Sequence, residues 1–425
     1  MSSIGPDTKS RSEKEVFIIT TGQLINAKTA GAGRMLNIAR SISNGGIKVS
    51  ILSYADFLVS SGEVKVLMEG IYAFTSGCHE ISARRNNLWK FLQVSLRYMK
   101  SNTTEAVVYL YPTTFIVKDL IYLCYFKYLK GFRFFSDINE LRSSIAFSSK
   151  PPDGSIAKFI YYFKSVWEYF IYSVNEWQVG LYDGITVISV SLENYFKRRA
   201  RRSVRIPILC NTDNLPALSP VRPYNGDVFR ICFAGYIHIE KEGFHILIES
   251  LRNVNRNRNV ELYLYGQIGD KDRIRLKELA EHFGFTDHVF YQGNLSPGLL
   301  QNEFSKYHLL VLPRTLNRRT KYGLSTKLAD YLVSGTPVLV TDVSDNALII
   351  KDNYNGFIIE PGSPEKMTDK ILEIIDIYGS NIGNLVANAQ RTASEMLDYK
   401  LYTRKFINFF FNEPDADHEP GEKQG

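Results

Sequence analysis

Short apolar runs of strand length, each leading through a loop into a helical stretch, recur in two series along this chain, and that alternation leaves few architectures open. The first series places runs at 15–20, 48–52, 106–110, 133–136 and 184–189; the second places them at 228–234, 260–265, 288–291, 309–312 and 337–341. Alternation of this kind predicts parallel sheets covered by helices. At 425 residues the chain exceeds what one hydrophobic core organises, so two α/β domains, each Rossmann-like and doubly wound, are expected. Pro216, Pro220, Pro223 and Gly226 interrupt the pattern between the series and mark a linker at 214–227. The predicted organisation is a polar tail at 1–15, a domain at 16–218, a second at 219–397, a closing helix at 398–412 and a disordered polar tail at 413–425.

Charge divides unevenly. Before Pro220 there are 27 basic and 17 acidic residues, and from it onward 24 and 27, so the first half carries +10 and the second −3. Such asymmetry predicts that the first half meets something anionic, with a membrane surface, a lipid phosphate or a nucleic acid all electrostatically acceptable. No recognised nucleic-acid-binding motif is present, and no nucleic-acid partner is expected. Cys78, Cys124, Cys210 and Cys232 lack CxxC spacing, which argues against a zinc site or a disulfide framework and for a reducing, cytoplasmic compartment. The first residues lack the basic-then-apolar order of a signal peptide, and no run approaches eighteen uninterrupted apolar residues. Membrane contact, where it occurs, is expected to be peripheral.

Open parallel sheets bind ligands beyond the carboxyl ends of their strands, which directs attention to three places. Gly31-Ala-Gly33-Arg34 is a small-residue loop before a helix predicted at 34–44; it could admit phosphate, or need glycine only for its dihedrals, and it is not a GxGxxG fingerprint. Gly235 ends a strand, and Lys241 follows before a helix near Phe244, where an ammonium can neutralise a diphosphate. Gly323 and Ser325 stand at the start of a predicted helix carrying Lys327 and Asp330 on one face. There a cation for phosphate and a carboxylate for ribose hydroxyls would serve a nucleotide diphosphate, against the alternative of a surface ion pair.

Phe233-Ala-Gly235 with Lys241-Glu-Gly243, Tyr265-Gly266, Val289-Phe-Tyr-Gln-Gly293, Leu310-Val-Leu-Pro313, the segment Ser325 to Leu332, Ser334-Gly-Thr-Pro-Val338 and Asn353-Tyr-Asn-Gly356 stand in a characteristic order. In that order they resemble the GT-B-fold glycosyltransferases, specifically the large retaining family 4. In the first half, Gly31-Ala-Gly33-Arg34, Asp137-Ile-Asn-Glu140 and Ile188-Ser-Val-Ser191 are similar to that family's glycine loop, its aspartate, histidine, acid motif and a later strand end. The likeness extends from about Val16 to Phe411. Departures are explicit. Tyr236 stands where an arginine is expected, Asn139 where the histidine is, and Tyr322 where the first of two glutamates is, Asp330 holding the second position.

What the resemblance implies is a transferase moving a sugar from a nucleotide-diphosphate donor to a saccharide or lipid-linked acceptor, with retention, in polysaccharide or glycoconjugate synthesis. The donor would be held by Gly31, Gly33, Gly235, Lys241, Ser325, Thr326, Lys327 and Asp330. Asn139 would be catalytic, and Lys241 and Lys327 would stabilise the leaving group. No cofactor and no metal are expected, and the closing helix is expected to return to the first domain. Arg318, Arg319 and Lys321 are read as an exposed basic loop outside the core site. The aromatic helices near 118–133 and 156–180 are read chiefly as core, with a membrane-facing role as the alternative. The rival functions are a sugar-nucleotide epimerase or phosphorylase on the same fold, and a degenerate nucleotide-binding scaffold.

Overall fold

The structure, a computed structural model, describes residues 14–21, 30–57, 63–75, 87–102, 105–111, 116–147, 151, 154–213, 215, 222–295, 297–379 and 382–412. Most of the 1–15 tail, part of the 214–227 linker and the 413–425 tail lie outside the described residues.

The first series forms β1 (Lys14–Thr20), β2 (Lys48–Ser53), β3 (Glu63–Met68), β4 (Ile71–Thr75), β5 (Glu105–Leu110), β6 (Arg133–Ile138), β7 (Gly184–Val187) and β8 (Ser203–Arg205). They lie in the order β3-β4-β2-β1-β5-β6-β7-β8, parallel except for the β3–β4 hairpin at one edge. The second series forms β9 (Phe229–Ala234), β10 (Val260–Tyr265), β11 (Val289–Gly293), β12 (Leu309–Leu312), β13 (Val338–Thr341) and β14 (Phe357–Ile359). Their order is β11-β10-β9-β12-β13-β14, parallel throughout. Val16 to Ile19 of β1 are fully buried, as helices on both faces of a parallel sheet require. Strand order reverses beside β1 and β5 in the first sheet and beside β9 and β12 in the second, and a crevice opens at such switch points.

Two crossings join the halves. One is the linker; the other brings Leu397 to Tyr399 against Cys210, whose N–H reaches Leu397 O at 2.9 Å while Tyr399 N–H reaches Cys210 O at 3.0 Å. The chain then runs into the helix Thr403–Phe411. Its Phe406, Phe409 and Phe410 are buried, and Phe409 and Phe410 pack on Phe135 of β6, Phe410 also on Tyr109 of β5.

The structure departs from the sequence reading in three elements. The helix expected at 34–44 begins at Ala30, so Gly31 and Gly33 lie in its first turn rather than in a loop before it. Strands β3, β4, β8 and β14 have no counterpart among the runs read from the sequence, and all of them lie at sheet edges or one strand from an edge. The helix Ser155–Gln178, read chiefly as core, presents most of its large aromatics outward.

Candidate active site

The switch point of the second sheet builds the site. β9 is followed at once by Gly235, whose φ of 139° suits glycine; a Cβ there would stand 2.0 Å from Lys327 Cε. A one-turn helix, Ile239–Glu242, follows and stops at Gly243, with φ of 74°. A Cβ on Gly243 would stand 2.0 Å from Pro313 O, so this glycine lets the loop after β9 lie against the loop after β12. That contact brings together residues far apart in sequence. Glu242 receives Arg314 as a fork, Nε at 3.2 Å and Nη2 at 3.1 Å, and Lys327 Nζ at 2.9 Å. Lys241, on the same turn, donates to Glu140 at 3.4 Å, and Arg319 donates to the same Glu140 oxygen at 2.6 Å.

Glu140 belongs to the first half, at the end of β6, so this last pair closes across the cleft. Ser189 Oγ donates to Tyr322 O at 2.8 Å, and Val190 N–H to Asp345 Oδ2 at 3.0 Å, which joins the halves again beside it.

Titration follows from this crowding. Burial alone would raise the Glu242 carboxyl, but Arg314 and Lys327 outweigh it and hold it well below the usual carboxylate range. Glu140 is likewise held low, Lys241 and Arg319 overcoming its burial. Burial, only partly offset by Glu140, lowers the Lys241 ammonium to about 8. Lys327 is lowered for the same reason despite Glu242. Surrounding protein raises the Asp330 carboxyl to about 6, although the residue itself is exposed, so water opposes part of that shift.

Four cations, Lys241, Arg314, Arg319 and Lys327, therefore meet two paired carboxylates, Glu140 and Glu242. Counted over these ion pairs, the cluster carries two positive charges in excess, and Asp330, whose carboxyl also acts on Lys327, stands outside the pairs. Beside it the Ser325 Oγ is buried with no hydrogen-bond partner among the described residues. Such a group is costly unless something else satisfies it. Thr326 stands directly before the following helix, Lys327–Val333, without a side-chain capping hydrogen bond, and Asp330 stands one turn along at the surface.

The remaining sequence-derived residues lie on the opposite wall. Asn139 donates to Tyr111 OH at 3.4 Å, and Tyr111 also neighbours Gly31. Gly33 faces open space. The structure thus groups Gly235, Lys241, Ser325, Thr326 and Lys327 closely, and sets Gly31, Gly33 and Asn139 on the first-half side.

Sequence reading missed Glu242, Arg314 and Arg319. The sequence places Arg319 in an exposed basic loop; its side chain is instead one-fifth exposed and ion-paired across the cleft. Arg314 brings a guanidinium to a region where Tyr236 replaces an expected arginine, but from a different strand end. Tyr322, at the position of an expected glutamate, lends its carbonyl to Ser189 and its ring to Tyr195, so it serves contact between the halves.

The sequence model described as glycosyl transferases group 1 matches residues 228–376, the stretch that builds this cluster. Among solved structures, the sucrose-phosphate synthase of Thermosynechococcus elongatus superposes with a TM-score of 0.70 at 13% identity, covering 94% of this chain and 99% of that one. Anabaena HepE, solved in complex with UDP, superposes with a TM-score of 0.62 at 13% identity, covering 94% and 100%. The fold is GT-B. An uncharacterized glycosyltransferase of Methanocaldococcus jannaschii is 20% identical over 241 residues, which is 53% of this chain and 59% of the relative. The chain spans about half the length of the curated archaeal relatives it matches. Within the GT-B frame the cation cluster lies in the cleft between the two Rossmann-like domains, at the switch point of the C-terminal one.

Proposed function

We propose that the protein is a retaining glycosyltransferase of family 4 that moves a hexosyl group from a nucleoside-diphosphate donor to a saccharide or lipid-linked acceptor, in polysaccharide or glycoconjugate synthesis. The observation that carries this reading is the uncompensated positive charge around Lys241, Arg314 and Lys327, beside a buried hydroxyl that lacks a partner. A diphosphate fits the chemistry of that arrangement, because its oxygens accept from cations and from Ser325 together. The UDP held by HepE and the match to glycosyl transferases group 1 support the same assignment.

In this mechanism Lys241 and Lys327 meet the charge that develops on the leaving diphosphate, where preorganised cations in a water-poor cleft act most strongly. Thr326 and Gly235 line the phosphate side, and Asp330 accepts from ribose hydroxyls. Gly31, Gly33 and Asn139 face the donor sugar from the opposite wall. Charge neutralisation by lysine and arginine makes the reaction independent of a divalent metal.

The test is calorimetric titration of the purified protein and of Asp330→Ala with a panel of nucleoside diphosphates and nucleotide sugars, without added metal. Selective binding of one base, weakened in Asp330→Ala, is expected. Absence of binding to every member of the panel would replace this reading with that of a scaffold that has lost its donor.

A further inference from the structure

The helix Ser155–Gln178 is built inside out. At about 100° per residue, Phe159, Ile160, Phe163, Trp167, Phe170 and Trp177 fall within about a third of its circumference. These six side chains are between 59% and 72% exposed. The face turned to the protein is polar instead. Ser165 and Glu176 are buried there, and Glu176 accepts from Ser143 N–H at 2.9 Å and Tyr195 OH at 2.8 Å. A surface helix of a globular domain normally shows the reverse arrangement, and a continuous exposed apolar stripe marks a docking surface.

We propose that this stripe lies on the surface of an anionic lipid bilayer. Three observations choose that occupant. First, the half that carries the helix has ten more basic than acidic residues, and Lys158 and Lys164 stand exposed on the helix itself. An anionic surface attracts that charge, whereas a second copy docking face to face would bring two such halves together. Second, the stripe is aromatic, holding two of the chain's three tryptophans, a side chain that favours the headgroup level. Third, no helix among the described residues is long and apolar enough to cross a membrane, and a polar inner face fixed by Glu176 fits a helix lying along the interface.

The placement bears on the cleft. Glu176 ties the helix to the turn Arg142–Ile145, directly after Asn139 and Glu140, while the Arg318 guanidinium stands 5.7 Å over the Tyr169 ring. Docking through this stripe brings the first-half wall of the cleft close to the headgroups, where an acceptor carried on a lipid would be presented. The docking rests on the exposed helix and on the positive charge of the half that carries it, and holds whether or not the donor reading does.

The experiment is vesicle flotation of the full chain with phosphatidylglycerol–phosphatidylcholine vesicles and with phosphatidylcholine alone, together with the paired variant Phe163→Glu and Phe170→Glu. The wild type is expected to float with the anionic vesicles, and the variant to lose at least tenfold in bound fraction with an unchanged melting temperature and unchanged nucleotide binding. Independently of any variant, tryptophan emission of the wild type should shift to the blue on anionic vesicles and be quenched by brominated phosphatidylglycerol. A wild type that stays in solution with an unshifted spectrum overturns the proposal. So does a wild-type dimer that the paired variant dissociates, because the stripe would then be covered by a second copy.

Discussion

Two buried arginine–carboxylate forks sit on opposite walls of this molecule, and they differ in what surrounds them. On the first-half side, Arg34 grips Asp137 through Nε and Nη2, both at 3.0 Å, and sends its remaining N–H groups to Pro207 O at 2.6 Å and Ile206 O at 3.1 Å. Asp137 also accepts from Thr186 at 2.7 Å. One cation meets one carboxylate, every strong donor has an acceptor, and both side chains are almost fully buried. On the second-half side, Glu242 is shared by Arg314 and Lys327, and Lys241 and Arg319 share Glu140, which reaches them from the first half. The first arrangement is complete and holds the strand ends of its domain in place. The second is short of negative charge, and that shortage is what an anionic ligand can supply.

The largest effect separating them is on stability. Asp137→Asn strands a buried guanidinium and should lower unfolding free energy by about 3–5 kcal/mol in denaturant titration. Nucleoside-diphosphate affinity of the folded fraction should stay near wild type; a large loss of affinity with unchanged stability would move the Arg34 pair into the donor site and end the contrast.

Lys241→Ala tests the other side. Removing a charged donor from a diphosphate should weaken binding by roughly ten- to a hundredfold, from about 1.5–3 kcal/mol per such bond, while the denaturation midpoint changes little. The pH dependence sharpens this. The Lys241 ammonium titrates near 8, so affinity is at full strength below that value and falls as pH rises through it. In Lys241→Ala this fall should flatten, which calorimetry from about pH 6.5 to about pH 9.5 (about three units across the titration) would reveal.

The smallest effect belongs to Ser325. Its buried hydroxyl is unpaired in the free protein, so Ser325→Ala should leave stability unchanged or slightly raised and weaken nucleotide binding about three- to tenfold, at about 1 kcal/mol for a hydrogen bond. A clear loss of stability would indicate that this hydroxyl has a structural partner instead.

Much of the C-terminal half was legible because strand-end loops leave strong local traces. Gly235 and Gly243 hold positive φ values of 139° and 74°, a local backbone requirement that favours glycine at a turn, although the atoms a Cβ would meet there, on Lys327 and Pro313, are distant in sequence. Lys241 and Lys327 lie in the loops and helix starts that follow. Glu242 was not legible as a site residue. Its role depends on Arg314 and Lys327, 72 and 85 positions away, and nothing local distinguishes it from an ordinary surface glutamate. Arg319 failed for the same reason, since its partner Glu140 comes from the other half.

The aromatic helix shows the limit from the other direction. Helical period and aromatic content over 156–180 predict that one face is apolar, but periodicity carries no information about which face the rest of the chain covers. Packing decided that, when Ser143 and Tyr195 took Glu176 as their acceptor and turned the aromatic stripe outward. What the sequence by itself determined was two parallel α/β sheets and the strand ends where a ligand can bind, because strand length, helical period and glycine punctuation are local properties. Only the tertiary structure decided which charges meet and which are left over, because the charge balance of a cleft is a sum over residues that only the fold brings together.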